Sequence, residues 1–341
     1  MRTQRLRVTK RFDAHLHLRQ KELMEDYVKR IGNRLAGILP MPNTKPPITT
    51  GEQALAYVEA IRAAGFEGAI VPTIKLTVQT KEKDLRHAKR LGVKAVKIYP
   101  QGLTTNSEDG MARHHLPRLD WAYAVMEEVG LHLLWHGEMP GETNLNREIC
   151  FLAELGRIAA KFRKLKITME HITTAQAAQV VSDLHRRYGN VMASITDHHL
   201  RVVLDDLLDG GLHMNDAYCK PIPKGPFDQQ TLVAMVMSGN SAFYSGSDSA
   251  PHQKGEKEKD CGCAGVYTAP IGTELMVDLF ERHGKLDRYT AFMFDRANTW
   301  FGLGLKPETI RLDRERWTVP GQYDGVVPFM AGKTLDWRVN D

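Results

Sequence analysis

The 341-residue chain holds four cysteines, Cys150, Cys219, Cys261 and Cys263. That is too few for a disulfide scaffold, and a chain this long can bury enough surface to fold without such staples. Free thiols in a reducing cytosol are the expectation. No apolar run approaches the roughly 18 residues that a membrane span needs. Met1–Lys10 alternates basic and apolar residues and lacks the apolar core of a secretion signal. Low-complexity tracts, fixed-period repeats and obvious linkers are also missing. Charge of one sign does not dominate: 46 Lys and Arg against 41 Asp and Glu leave +5, with both signs mixed along the chain. A nucleic-acid surface would need a basic cluster. These absences point to a soluble cytoplasmic protein that handles a small molecule, with no membrane or nucleic-acid partner. A content of 42% hydrophobic and 26% charged residues excludes a disordered chain.

What is present is alternation. Short β-branched or apolar runs read as strands at Arg11–Leu18, Leu35–Met41, Gly68–Ile74, Ala95–Tyr99, His132–His136, Ile167–Ile172, Val191–Thr196 and Ala242–Ser247. Amphipathic runs between and after them predict helices at Glu52–Ala64, Leu116–Val129, Leu145–Phe162, Ala175–Tyr188, Pro226–Ser238, Gly272–His283 and Tyr289–Phe301. Eight strands alternating with helices predict an α/β fold, a (β/α)8 TIM-like barrel; a doubly wound open sheet is the rival. The tail from Arg311 reads as short strands and turns (Thr318–Val319, Gly325–Val327, Thr334–Trp337), a short C-terminal extension. Residues 1–341 read as a single domain.

In a barrel the chemistry stands at the C-terminal strand ends. Strand one ends in His15-Leu16-His17-Leu18-Arg19, strand two in Pro42-Asn43, and strand four in Lys97. Strand five ends in His136-Gly137-Glu138, strand six in Glu170-His171 and strand eight in Asp248. His15 and His17, two apart, share one face of a strand and can reach one metal, or they can merely line a solvated face. With His136, His171 and Asp248 they make an imidazole and carboxylate set suited to zinc-like divalent ions. Lys97 lies in an apolar stretch. A buried ammonium needs a carboxylate partner, or the neutral amine can add carbon dioxide and become a bridging carbamate. His15, His17, Lys97 and Asp248 could then hold one ion, and Lys97, His136 and His171 a second. A water between two such ions becomes a hydroxide nucleophile near neutral pH. Asp248 could take its proton and pass it to a leaving nitrogen as general base and acid.

The stretches DAHLHLR, MPNTKPP, KIYPQGLTTNSEDG, HGE, MEHITT and GSDSAPH, followed by CGCAG, resemble the short bacterial type of the dihydroorotase family in the amidohydrolase superfamily. VPFMAGKTLDW resembles that family's tail. The resemblance implies a distorted barrel with two Zn2+ bridged by N6-carboxylated Lys97 and a hydroxide. It implies reversible cyclisation of N-carbamoyl-L-aspartate to L-dihydroorotate in pyrimidine synthesis. Arg19, Asn43 and His252 would hold the substrate carboxylate, and His136 would also face the substrate. The backbone around Lys220, Ala264 and Gly265 would meet the ring amide. Thr104 and Thr105 would ride a mobile loop, and a homodimer is implied.

The chain departs from the pattern where Asp197 and His198 replace the usual Pro-Gln before His199, and where Lys220 replaces an apolar residue. Cys261-Gly262-Cys263 reads as a tight turn, with a zinc-thiolate site as its rival; no second Cys pair accompanies it. Lys254–Asp260 reads as a solvated loop and His114-His115 as surface. Another cyclic amidohydrolase, such as a hydantoinase or allantoinase, and a non-catalytic scaffold on the same fold are the competing functions.

Overall fold

A computed structural model describes residues 4–340; Met1–Thr3 and Asp341, the ends of the expected 1–341 unit and the start of the N-terminal segment discussed above, lie outside the described residues. The strands are β1 (Arg5–Thr9), β2 (Arg11–Leu16), β3 (Leu35–Pro40), β4 (Ala69–Ile70), β5 (Thr73–Lys75), β6 (Ala95–Ile98), β7 (His132–Trp135), β8 (Ile167–Met169), β9 (Val191–Ile195), β10 (Phe243–Ser245), β11 (Thr309–Thr318) and β12 (Thr334–Val339). The main helices are α1 (Glu22–Ile31), α2 (Gly51–Ala63), α3 (Glu82–Arg90), α4 (Asp120–Val129), α5 (Arg147–Lys161), α6 (Ala175–Tyr188), α7 (Leu204–Leu208), α8 (Pro226–Met237), α9 (Lys254–Lys257), α10 (Gly272–Arg282) and α11 (Arg296–Trp300).

All eight expected barrel strands occur, and every pairing among them is parallel. The third is broken: β4 pairs with β3, β5 pairs with β6, and Pro72 stands between them. Proline has no N–H to give a ladder, so the strand changes neighbour there. The barrel closes where the Asp248 N–H donates to the His15 carbonyl (2.8 Å) and the His17 N–H donates to the Ser249 carbonyl (2.9 Å). That closure selects the barrel over the open sheet.

Local chemistry sets the helix ends. Thr50 and Gln53 form a reciprocal capping box at α2. Thr174 caps α6, which stops at Gly189 in the left-handed region. Helices α1, α3, α7 and α9 fall outside the helices expected from the sequence. The expected Leu116–Val129 helix begins instead as a 3-10 segment, Arg113–Arg118, that carries Pro117. Within the expected Tyr289–Phe301 helix, Ala291–Asp295 is π-helical before α11. In the tail, β1, β11 and β12 make an antiparallel sheet. It is larger than the short strands anticipated, and Gly325–Val327 contributes a bridge at Val326 rather than a strand. Among the described residues no helix is long and apolar enough to cross a membrane.

An inner apolar layer of Phe12, Ala14, Leu39, Ala95, Leu134, Met192 and Tyr244 meets Phe294, Trp300 and Phe301. Side chains two residues further along a strand share its face. Lys97 follows Ala95 and His136 follows Leu134, so the strand period itself carries polar groups above an apolar floor. Beside the floor, the buried Arg11 guanidinium clasps Asp197 (2.7 and 3.1 Å) and Ser245 (2.8 Å).

Candidate metal centre and substrate pocket

His15, His171 and Asp248 offer ligand atoms within 4.8 Å of one another. Asp248 Oδ1 lies 3.2 Å from His15 Nε2 and 3.0 Å from His17 Nε2. The His136 ring stands edge-on to that of His171 at 4.5 Å, with its Nε2 facing Glu138 at 2.7 Å. Five of the six expected ligands thus cluster, from four strand ends. His171 and Asp248 have φ of 43 and 45°, a left-handed conformation that costs a non-glycine residue energy and gathers at functional sites.

Carboxylates behind the histidines fix them. Glu170 Oε2 faces His15 Nδ1 at 2.9 Å and also accepts from Ser194, leaving His15 Nε2 for Asp248. Asp13 accepts the Ser247 N–H (2.8 Å) and ties β2 to the segment after β10. Glu148 of α5 accepts from the backbone and hydroxyls of Thr173 and Thr174 at 2.6–3.0 Å, pinning the turn after His171. Glu170 and Glu138 were visible as strand-end residues; Asp13, Glu148 and Ser194 carry no motif that would announce them.

The electrostatics follow from burial set against these partners. Burial works against a charged His15, but Glu170 and Asp248 outweigh it and raise its pKa. Burial dominates at His17, which falls to about 4 despite Asp248. It also dominates at His171, beside His136 and Lys97, which is held well below its usual value. Asp248 is held well below the carboxylate range, because the charge and hydrogen bonds of His15 and the bond to His17 overcome its burial.

Lys97 is wholly buried, and among the described residues its Nζ has no hydrogen-bond partner. Burial lowers its pKa to about 8, against the opposing fields of Glu170 and Asp248. A direct pairing with a carboxylate, the rival reading of this lysine, is not formed. An unpartnered buried amine fits the carbamate chemistry, and the surrounding imidazoles and carboxylate fit divalent ions.

Above this cluster lies a small pocket lined by His17, Arg19, Asn43, Thr104, Thr105, Lys220, Asp248, Ala264 and Gly265, together with Ala250. Arg19 places Nη2 at 2.7 Å from His252 Nε2 and donates Nε–H to the Pro251 carbonyl (3.0 Å). Burial and the Arg19 charge depress His252, so its neutral ring accepts from the guanidinium. Asn43 donates to the Thr105 carbonyl (3.2 Å), Asn106 donates to the Asn43 carbonyl (2.9 Å), and the Thr105 hydroxyl reaches the Ala264 carbonyl (3.4 Å). The Thr104–Thr105 loop therefore lies against the pocket. Lys75 anchors it from below, donating to the Asn106 carbonyl (2.8 Å) and to the Asp109 carboxylate. At Gly265, with φ of 153°, a Cβ would run into the Ala250 carbonyl and His252, so only glycine lets the backbone border the cavity.

Of the departures, Asp197 belongs to the Arg11 pair and not to the pocket. The Lys220 side chain leaves the cavity to donate to Asn144 Oδ1 (3.1 Å). Lys254–Asp260 is not simply a solvated loop: it contains α9, and Lys257 is only 3% exposed. Lys257 Nζ donates to the Tyr218 (3.3 Å), Cys263 (3.5 Å) and Gly265 carbonyls, binding the Tyr218 and Cys263–Gly265 segments together. Cys261 sits exposed in a turn, and His114 is likewise on the surface.

The family model described as Amidohydrolase matches residues 12–209. A dihydroorotase of Vibrio cholerae is 42% identical over 98% of this chain and 99% of its own length. The chain belongs to the dihydroorotase family of amidohydrolases. Its fold superposes on the crystal structure of a Saccharomyces cerevisiae dihydroorotase, in complex with 5-fluoroorotic acid, with a TM-score of 0.90 at 28% identity, covering 99% of this chain and 98% of that one. An L-hydantoinase from Arthrobacter aurescens shares the barrel at a TM-score of 0.82, but at 14% identity over 98% of this chain and 83% of its own. Membership in the dihydroorotase family thus rests on sequence as well as on fold, whereas the hydantoinase likeness shows the fold alone.

Proposed function

We propose that this chain interconverts N-carbamoyl-L-aspartate and L-dihydroorotate, as one metal-dependent unit over its whole length. The observation that carries the reading is the unpartnered, buried Lys97 beneath converging His15, His17, His136, His171 and Asp248, with the Arg19-bearing cavity directly above. Carboxylated Lys97 would be shared by two zinc ions, with His15, His17 and Asp248 on one and His136 and His171 on the other. Ions held there would acidify a water and polarise the ring amide carbonyl.

The chain's own groups do the rest. The Arg19 fork matches a carboxylate bidentately, and His252 and Asn43 stand beside it to orient that group. Asp248 is ionised at neutral pH and so can receive a proton. In the hydrolytic direction the water oxygen bonds to the amide carbon, the C–N bond breaks, and Asp248 passes the proton to the leaving nitrogen. The reverse sequence closes the ring with loss of water. The Thr104–Thr105 loop, seated on Asn43 and Ala264, keeps bulk water out.

Metal analysis of the purified protein coupled to a dihydroorotate ring-opening assay tests this reading. About two metal ions per chain and turnover of dihydroorotate, with hydantoin left intact, are the expected results. Preferential turnover of hydantoin would move the assignment to another cyclic amidohydrolase. A metal-free, inactive protein would favour a scaffold.

A further inference from the structure

A second group of metal-type donors lies apart from the centre already described. His198, His199 and Cys219 are each at most 2% exposed, and their ligand atoms lie within 4.8 Å of one another. His199 Nε2 is 3.4 Å from Cys219 Sγ and 3.0 Å from the Pro221 carbonyl oxygen, and Sγ is 3.3 Å from that oxygen. With Zn–S about 2.3 Å and Zn–N or Zn–O about 2.0–2.1 Å, the edges of a tetrahedron around zinc are roughly 3.3–3.6 Å. These three atoms therefore sit close to one triangular face of such a tetrahedron.

His198 offers a fourth donor, with one ring nitrogen within 4.8 Å of the His199 and Cys219 donor atoms. Its ring centroid is 4.4 Å from that of His199. It is completely buried, and among the described residues neither Nδ1 nor Nε2 has a hydrogen-bond partner. A hydrogen-bonded thiol, imidazole and carbonyl would account for His199 and Cys219 alone. It leaves two ring nitrogens of His198 desolvated and unpaired, which buried polar groups seldom tolerate.

We propose that His198, His199 and Cys219, with the Pro221 carbonyl, form a closed structural site for a thiophilic divalent ion such as zinc, in addition to the centre at Lys97. Binding converts the Cys219 thiol to a thiolate and releases that proton to solvent. The His199 ring proton moves from Nε2 to Nδ1, which then donates a hydrogen bond to the Thr196 hydroxyl oxygen 2.8 Å away. No other bond changes. The site would brace the Ala217–Pro221 segment that presents Lys220 to the pocket edge, and the soft sulfur donor sets its ion preference apart from that of the oxygen- and nitrogen-lined centre.

The test is loading of the metal-stripped full-length protein with Co2+ alone, read by absorption. The centre at Lys97 has only nitrogen and oxygen donors, so a thiolate-to-cobalt charge-transfer band in the near ultraviolet reports this site and no step of catalysis. The expected result is a band in the parent protein that disappears in Cys219→Ser, weakens in His198→Gln and persists when Cys261 and Cys263 are both changed to Ser. Absence of the band while cobalt fills the other centre overturns the inference, as does a band that follows Cys261 and Cys263. Should Cys219→Ser fail to fold, His198→Gln decides, and an unchanged band there also overturns it. Dihydroorotate turnover is scored separately, so either reading can fail without the other.

Discussion

Lys75 and Lys97 stand opposite each other in register on adjacent parallel strands. Both are wholly buried, and their ammonium nitrogens lie 5.4 and 5.3 Å from the centre of the same Tyr99 ring. Their circumstances then part. Lys75 reaches the Asp109 carboxylate and the Asn106 carbonyl, whereas among the described residues Lys97 has no hydrogen-bond partner. The comparison teaches that burial by itself does not mark a lysine for chemistry. A buried cation with a carboxylate is a structural tie; one without a partner is an amine free to react.

The largest effect should come from removing the second kind. Lys97→Ala is expected to lower dihydroorotate turnover by more than the ~10⁴-fold upper range of a single proton-transfer group, because the proposed metal bridge goes with it. Loss of bound metal on elemental analysis should accompany the change. Near-parental turnover would break the comparison outright. Asp248→Asn comes next. It keeps the size of the side chain but cannot take up a proton, so kcat is expected to fall by about 10²–10⁴-fold, with some metal retained.

The sequence was most informative where one period ran uninterrupted. Eight strands were visible as apolar runs, and spacing alone placed the metal-type residues at their ends. Residues that act through the backbone of a distant element escaped. Glu148 sits on α5, whose amphipathic pattern says nothing of Thr173 and Thr174, and only the barrel brings them together. Lys257 looked like one charge in a solvated run because a short polar segment gives no period from which burial can be read. Helix α3 was missed for a related reason: of its nine residues, EKDLRHAKR, only Leu85 and Ala88 are buried. Asp197 stood out as a departure, yet its partner Arg11 lies 186 positions away. No local pattern could pair them.

That pair gives the scaffold's counterpart to the site. Asp197→Ala would strand the fully buried Arg11 charge with only Asp13, 3.8 Å away, as a counter-ion. Removing one partner of a buried pair costs about 3–5 kcal/mol, so urea unfolding should show a loss of that order. The folded fraction should keep most of its turnover. An unchanged midpoint would mean that Asp13 alone satisfies Arg11.

Lys75→Met sharpens the opening comparison from the other side. It removes the anchor under the Thr104–Thr105 loop, and the lost hydrogen bonds go to Asn106 and Asp109 and not to a proposed metal ligand. KM for dihydroorotate is expected to rise by up to about tenfold with kcat largely kept, the pattern of lost substrate binding. A kcat collapse matching that of Lys97→Ala would erase the distinction between the two lysines.

The smallest effect belongs to Lys257, a third buried lysine, which lies between these extremes: it has partners, but they are neutral carbonyls. Burial pulls its pKa from 10.5 down to about 8. Between those two values the unfolded chain holds a proton that the folded chain has released. The unfolded state therefore binds more protons, and stability due to this group rises as pH goes from about 8 towards 10.5. Relative to Lys257→Met, which carries no such charge, the parent should gain stability on moving from pH 8 to pH 10, by at most a few kcal/mol. Paired urea melts at the two pH values give the difference and cancel the titration of other groups. A parent that instead loses ground to the variant as pH rises would show that the three carbonyls favour the ammonium more than burial disfavours it. Lys257 would then belong with Lys75 as a charged tie.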